Sequence, residues 1–275
     1  MRAQNLAISV PKFDKCDKDC PYCVSKMTGY LKPNIELFWR NLKKAKTLAK
    51  HANITSVLIT GKGEPIQEIL MVHKLLEEFS EFPTELQTNG KYLHEYPEYI
   101  ETLAEAGLNV LAISIDNPEE ITKYRHLVEH AQAVGMLVRY TVNITDRFDG
   151  ISFKELFNMC DCAKIDQFSL REVTIPTDAV DTIESKAAQE WINENVNPGS
   201  INLTKMQMET DLRMYGRFLM ALPYGAKLYD YKGISVTWFD YCVQDKNEGD
   251  DIRSLIYQED GHMYFAWNSK ASRLF

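Results

Sequence analysis

The stretch Cys16-Asp17-Lys18-Asp19-Cys20-Pro21-Tyr22-Cys23 places three thiols in one short loop, spaced C-x3-C-x2-C. A loop of this length can aim three sulfurs at one point, and soft thiolates select zinc, copper(I) or iron–sulfur clusters. Structural zinc normally takes four protein ligands. No fourth Cys lies nearby, and the first His in the chain is His51. Three ligands and one open corner suit a [4Fe–4S] cluster whose fourth iron is left free for a small molecule. Two plainer readings compete: buried structural thiols, or half of a zinc site completed by a distant residue. The flanking Asp and Lys residues argue against a buried core position.

Outward from this loop the chain alternates between strand-like and helix-like stretches. Leu6-Ala7-Ile8-Ser9-Val10 leads directly into the cysteines. Asn34 is a candidate N-cap for a helix whose Ile35, Phe38, Leu42, Ala45 and Leu48 recur at helical spacing. Further strands are expected at 57–60, 85–88, 110–116, 136–144 and 167–175. Helices with regularly spaced apolar residues are expected between them, and a last one at 185–196. The run Val110-Leu111-Ala112-Ile113-Ser114-Ile115 is almost continuously apolar, as in a strand covered on both faces. Six strand–helix units argue an α/β fold with a parallel sheet.

After Asn197-Pro198-Gly199 the pattern changes, so residues 1–198 read as a core and 199–275 as a C-terminal β-rich extension covering its open side. Residues 201–222 are expected to be helical. Two hairpins should follow, turning at Lys232-Gly233 and Asp260-Gly261, with an acidic loop at 245–251 between them. This tail is rich in aromatics: Tyr224, Tyr229, Tyr231, Trp238, Phe239, Tyr241, Tyr257, Tyr264, Phe265 and Trp267. Such residues suit strands, and some could line a pocket.

The net charge of −8 and the absence of a long Lys/Arg cluster make nucleic acid a poor expectation as partner. Lys43, Lys44 and Lys46 read as a solvated helix face. No apolar run reaches the length of a membrane span, and Met1-Arg2-Ala3-Gln4-Asn5 does not begin a secretory leader. Six cysteines, half of them in one loop, do not form a disulfide framework, so the reducing cytoplasm is the expected location.

Ligands of parallel α/β sheets bind at the carboxyl ends of strands. The conspicuous residues sit there: Gly61-Lys62-Gly63-Glu64-Pro65 after the second strand, Thr88-Asn89-Gly90 after the third, and Ser114 with Asp116 at the fourth. A buried Asp116 needs a partner, either a ribose diol or a basic group; the plainer role is to cap the next helix. Arg139, Thr141 and Asn143 alternate on the fifth strand and share a face.

The cysteine loop together with the Gly-Glu-Pro loop resembles the signature of the radical SAM family. The resemblance is strong at Cys16, Cys20 and Cys23, moderate at residues 61–65 and weak at later strand ends. It implies an open (β/α)6 partial TIM barrel and two cofactors, a [4Fe–4S] cluster and S-adenosylmethionine. The cluster's one-electron cleavage of S-adenosylmethionine yields a 5′-deoxyadenosyl radical that abstracts hydrogen from a substrate. Carried onto this chain, the resemblance assigns Cys16, Cys20 and Cys23 to the cluster. Gly61, Lys62, Gly63 and Glu64 go to the cofactor's amino group, Tyr22 to its adenine, and Thr88, Ser114, Asp116 and Asn143 to the remaining strand-end contacts. Arg171 is the candidate partner for its carboxylate, with Arg139 in reserve. The chain departs from the family's Gly-Gly-Glu-Pro at Lys62, which stands where the first glycine is expected. A small-molecule, nucleotide-like substrate fits a compact acidic chain. The alternatives are a peptide or protein substrate, including glycyl-radical activation, and a non-catalytic iron–sulfur protein. An electron donor such as flavodoxin or ferredoxin is implied. Cys160, Cys162 and Cys242 could serve a second cluster, but isolated cysteines more often act as small hydrophobes. His126 and His130 read as solvated.

Overall fold

The computed structural model describes residues 2–12, 16–196, 204–222, 226–239, 251–267 and 269–275. Six strands come first: β1 (Arg2–Ser9), β2 (Ser56–Thr60), β3 (Thr84–Thr88), β4 (Val110–Ile115), β5 (Leu137–Ile144) and β6 (Gln167–Glu172). Between and after them lie α1 (Val24–Thr28), α2 (Ile35–His51), α3 (Ile69–Glu78), α4 (Lys91–Glu95), α5 (Tyr99–Glu105), α6 (Pro118–Lys123), α7 (Arg125–Ala133), α8 (Phe153–Ala163) and α9 (Ile183–Asn195). The C-terminal part adds α10 (Lys205–Tyr215), β7 (Arg217–Ala221), β8 (Lys227–Tyr231), β9 (Ile234–Phe239), β10 (Asp251–Tyr257) and β11 (Met263–Tyr264).

Helical crossovers force β1 to β6 into parallel neighbours in chain order. The whole sheet runs β11-β10-β1-β2-β3-β4-β5-β6-β9-β8-β7. Both hairpins contribute one strand to the parallel set: β9 pairs parallel with β6, and β10 parallel with β1. Their partners β8 and β11 return antiparallel. The C-terminal strands therefore extend the two edges of the six-stranded sheet.

Alternation along each strand sorts side chains onto two faces. One face meets the helices and holds the main core, including Leu6, Ile8, Val57, Ile59, Leu86, Leu111, Ile113, Tyr140 and Phe168. Helix α2 shows why: Asn34 accepts from Leu37 N at 3.0 Å as its cap, and Phe38, Leu42, Ala45 and Ala49 are buried at helical spacing. The other face is largely polar. There Arg139 pairs with Glu85 and reaches Gln167 Oε1 at 3.5 Å, while Asn143 stands in register with Arg171.

Two local expectations change. The helix expected through residue 222 stops at Tyr215, and Phe218, Leu219 and Met220 lie in the exposed edge strand β7. Ladder pairing with β8 outweighs their helical spacing, and Phe218 rests edge-on against Tyr229. The sixth strand also ends at Glu172 rather than 175. The boundary at 197–199, residues 245–250, Tyr224, Tyr241 and Cys242 lie outside the described residues.

Candidate functional site

With one exception, and leaving aside the reserve Arg139, the residues that the resemblance assigns to the two cofactors surround a single cavity of about 720 Å³. Cys16, Cys20, Tyr22 and Cys23 form one wall, Gly61 to Glu64 a second, and Thr88, Ser114, Asp116 and Asn143 the floor. This is the carboxyl end of β2 to β5, where parallel strands deliver backbone ends and loops together. Arg171 is the exception. It does not line the cavity, and its guanidinium lies 6.0 Å from the centre of the Phe239 ring.

The cysteine loop is held by side chains of the strand ends. Asn89 Nδ2 donates to Asp17 Oδ1 at 2.7 Å, and Lys91 Nζ donates to Asp17 O at 2.9 Å. Lys18 Nζ lies 2.6 Å from Asp116 Oδ2 and 2.7 Å from Glu120 Oε1. Tyr22 donates its hydroxyl to Asp116 Oδ1, which also accepts from Asn143 Nδ2 at 3.1 Å. Asp116 thus has the basic partner its burial demands. Burial alone would raise its pKa, but Lys18, Tyr22 and Asn143 together hold it below the ordinary value. Behind the loop, the Tyr22 ring packs 5.2 Å from that of Trp191 on α9.

Glu64 is buried and caps the short 3₁₀ turn Pro65–Glu68 through Ile66 N, at 3.2 Å. Its other oxygen accepts from Asn89 N at 2.7 Å. Burial pushes its carboxyl up to about 7, although the hydrogen bonds from Asn89, Thr88 and Ile66 pull it down. The Thr88-Asn89-Gly90 turn needs its glycine: φ is +76°, and a Cβ there would sit 2.8 Å from Ile113 Cγ2. Lys62 takes a position its side chain can use, donating from Nζ to Gly29 O at 2.6 Å just beyond α1.

Burial raises the thiol pKa of Cys16 and Cys20. Among the described residues no three His, Cys, Asp or Glu side chains converge at metal-holding distance. Cys20 Sγ is instead turned to Asp116 Oδ2 at 3.5 Å, and Cys16 Sγ to Asp17 and Asn89. The donor set nevertheless fits an iron–sulfur cluster: three soft ligands on one loop, all lining the same cavity, with no other thiol beside them among the described residues. A cluster's positive charge would draw out thiolates that burial keeps protonated.

Sequence reasoning missed several cavity residues. Lys18 lay inside the motif and was passed over. Glu259 comes from the β10–β11 turn, more than two hundred residues after the cysteines, and nothing local marks it. It accepts from Leu31 N at 3.1 Å, and burial pushes its carboxyl up to about 7. None of the described C-terminal aromatics lines the cavity; Tyr229, Tyr231, Trp238, Tyr257 and Tyr264 are buried instead. Cys160 is buried on α8 and Cys162 exposed, neither at the cavity.

Comparison with known proteins gives three findings. The model of the Radical SAM superfamily matches residues 10–152. The GTP 3′,8-cyclase of Clostridium acetobutylicum is 27% identical over 237 residues, covering 84% of this chain and 61% of that protein. Structures of SuiB from Streptococcus suis share the fold. The complex with its precursor peptide SuiA has a TM-score of 0.54 at 15% identity, covering 96% of this chain and 60% of that one. The complex with S-adenosylmethionine has a TM-score of 0.54 at 16% identity, covering 96% and 58%. The chain therefore spans about 60% of the length of these proteins.

Proposed function

Because the chain belongs to the radical SAM superfamily, whose enzymes use a [4Fe–4S] cluster and S-adenosylmethionine, we propose that it acts by reductive cleavage of S-adenosylmethionine on a small, nucleotide-like biosynthetic intermediate. The observation that carries this reading is the shared cavity: the C-x3-C-x2-C loop and the Gly-Lys-Gly-Glu-Pro loop both line it. Cys16, Cys20 and Cys23 would hold the cluster, which supplies the electron that starts the radical chemistry.

The chain's own groups account for the rest. The carbonyls of the 61–63 loop and the Glu64 carboxyl receive the cofactor's ammonium. Asn143 and Asp116 would bond the ribose hydroxyls, and the backbone of Tyr22 would meet the adenine. Arg171 lies outside the cavity lining, with its guanidinium 6.0 Å from the centre of the Phe239 ring, which counts against it as the partner of the carboxylate. The core reads as a (β/α)6 partial barrel over residues 1–198. Residues 199–275 would form the extension over its open side, a reading supported by the described strands β9 and β10, which add to the two edges. A flavodoxin or ferredoxin would supply the electron. No described helix is long and apolar enough to cross a membrane.

The nucleotide-like substrate class rests on the GTP 3′,8-cyclase relative. The test is to add GTP and other purine nucleotides to reduced, anaerobically reconstituted protein and follow 5′-deoxyadenosine formation. Stimulation by a nucleotide supports the assignment. Stimulation by short peptides alone would move the substrate to the peptide class.

A further inference from the structure

We infer that Lys18 is a positioning residue that builds the cluster-binding loop before iron arrives, by tethering it to the β4–α6 turn through Asp116 and Glu120. The inference rests on the reading of Cys16, Cys20 and Cys23 as cluster ligands.

The anchor exists independently of the loop. Asn117 caps α6 by accepting from Glu120 N at 3.2 Å, and Glu120 Oε2 accepts from Asp116 N at 2.8 Å. The turn thereby presents two carboxylates side by side, Asp116 at the cavity and only 3% exposed, Glu120 behind it and 9% exposed. Two buried like charges need a cation between them. Lys18 meets both, at 2.6 and 2.7 Å, and its own side chain is 19% exposed.

Lys18 lies midway between Cys16 and Cys20, so its tether fixes the loop between the first two ligands. Tyr22 ties the stretch before Cys23 to the same Asp116. A single carboxylate therefore receives two attachments from one eight-residue motif. Partners behind a metal's direct ligands commonly govern affinity as well as orientation, and a site assembled in advance spares the metal the cost of ordering it.

The experiment compares amide hydrogen exchange of the iron-free protein, wild type and Lys18→Met, in peptides spanning residues 16–27. Exchange in the variant should be about tenfold faster or more within the loop, with β1 to β6 unchanged. Lys18→Arg should restore much of the protection. After reconstitution, Lys18→Met should lose iron to a chelator about 10- to 100-fold more readily. If Lys18→Met does not fold, as judged by exchange across the whole sheet, Glu120→Gln replaces it. That variant removes one of the two contacts and should give intermediate protection. Equal loop exchange in wild type and variant would overturn the role of Lys18 alone. Lys18-dependent protection in a protein that takes up no iron and sulfide would overturn the cluster reading, and the role with it.

Discussion

Glu64 Oε2 accepts a hydrogen bond from Asn89 N at 2.7 Å, so the loop after β2 is tied directly to the end of β3. The carboxyl is buried, and its pKa is pushed up to about 7 from an ordinary 4.5. An acid whose folded pKa is raised favours the folded state most below the unfolded value. That contribution is lost as pH rises from 4.5 through about 7, because the unfolded chain ionises first. The expected loss is about 3 kcal/mol across the window. Urea denaturation of wild type and Glu64→Gln at pH 4.5 and 7.5 checks it. The stability difference between the two proteins should shift toward the variant by that amount.

Arg139 and Glu85 form an ion pair on the polar face of the sheet, with side chains 20% and 10% exposed. The pair runs through Arg139 Nη2, and Arg139 Nε has no hydrogen-bond partner among the described residues. Removing the carboxylate leaves a largely buried cation, so Glu85→Ala should cost about 3 kcal/mol. The double variant Glu85→Ala/Arg139→Met should cost less than the sum of the two single changes. A double-mutant cycle by chemical denaturation measures the coupling.

The β10–β11 turn sits on the first turns of α2. Asn41 Nδ2 donates to Gly261 O at 2.9 Å, and Gly261 has φ of +79° with room for no side chain. A Cβ there would lie 2.6 Å from Phe38 N. Gly261→Ala should therefore lower stability by about 2 kcal/mol or more, through strain and displacement together. Gly107→Ala is the comparison: φ is +97°, but nothing lies within 4 Å. Its cost should be about 1 kcal/mol. Thermal unfolding of both variants checks the order.

Tyr22 gives its hydroxyl to Asp116 inside the loop–floor contact. Tyr22→Phe keeps the packing against Trp191 and removes one bond to a charged acceptor. The expected cost is about 1.5–3 kcal/mol, read by urea denaturation of the iron-free protein.

The contrast between Asn34 and Glu259 shows what was legible in the sequence. Asn34, the helical spacing after it and the apolar run at 110–115 are local signals, and each sits where local physics puts it. The strand-end rule likewise gathered the cysteines, Glu64, Thr88, Ser114, Asp116 and Asn143 at one cavity. Glu259 reaches that cavity only because β10 pairs with β1, a long-range choice that no local spacing encodes. The same holds for β9 beside β6, and for Lys18, whose meaning depends on where the β4–α6 turn lands. At Tyr215 to Ala221 a helical pattern met a competing strand partner, and the pairing with β8 prevailed.

The most direct measurement is 5′-deoxyadenosine release from S-adenosylmethionine by the anaerobically reconstituted, dithionite-reduced protein, with Cys20→Ala as control. The account predicts release by wild type, raised by the correct substrate, and none above background from the variant. A protein that binds zinc in place of a cluster, or releases 5′-deoxyadenosine equally well without Cys20, would contradict it.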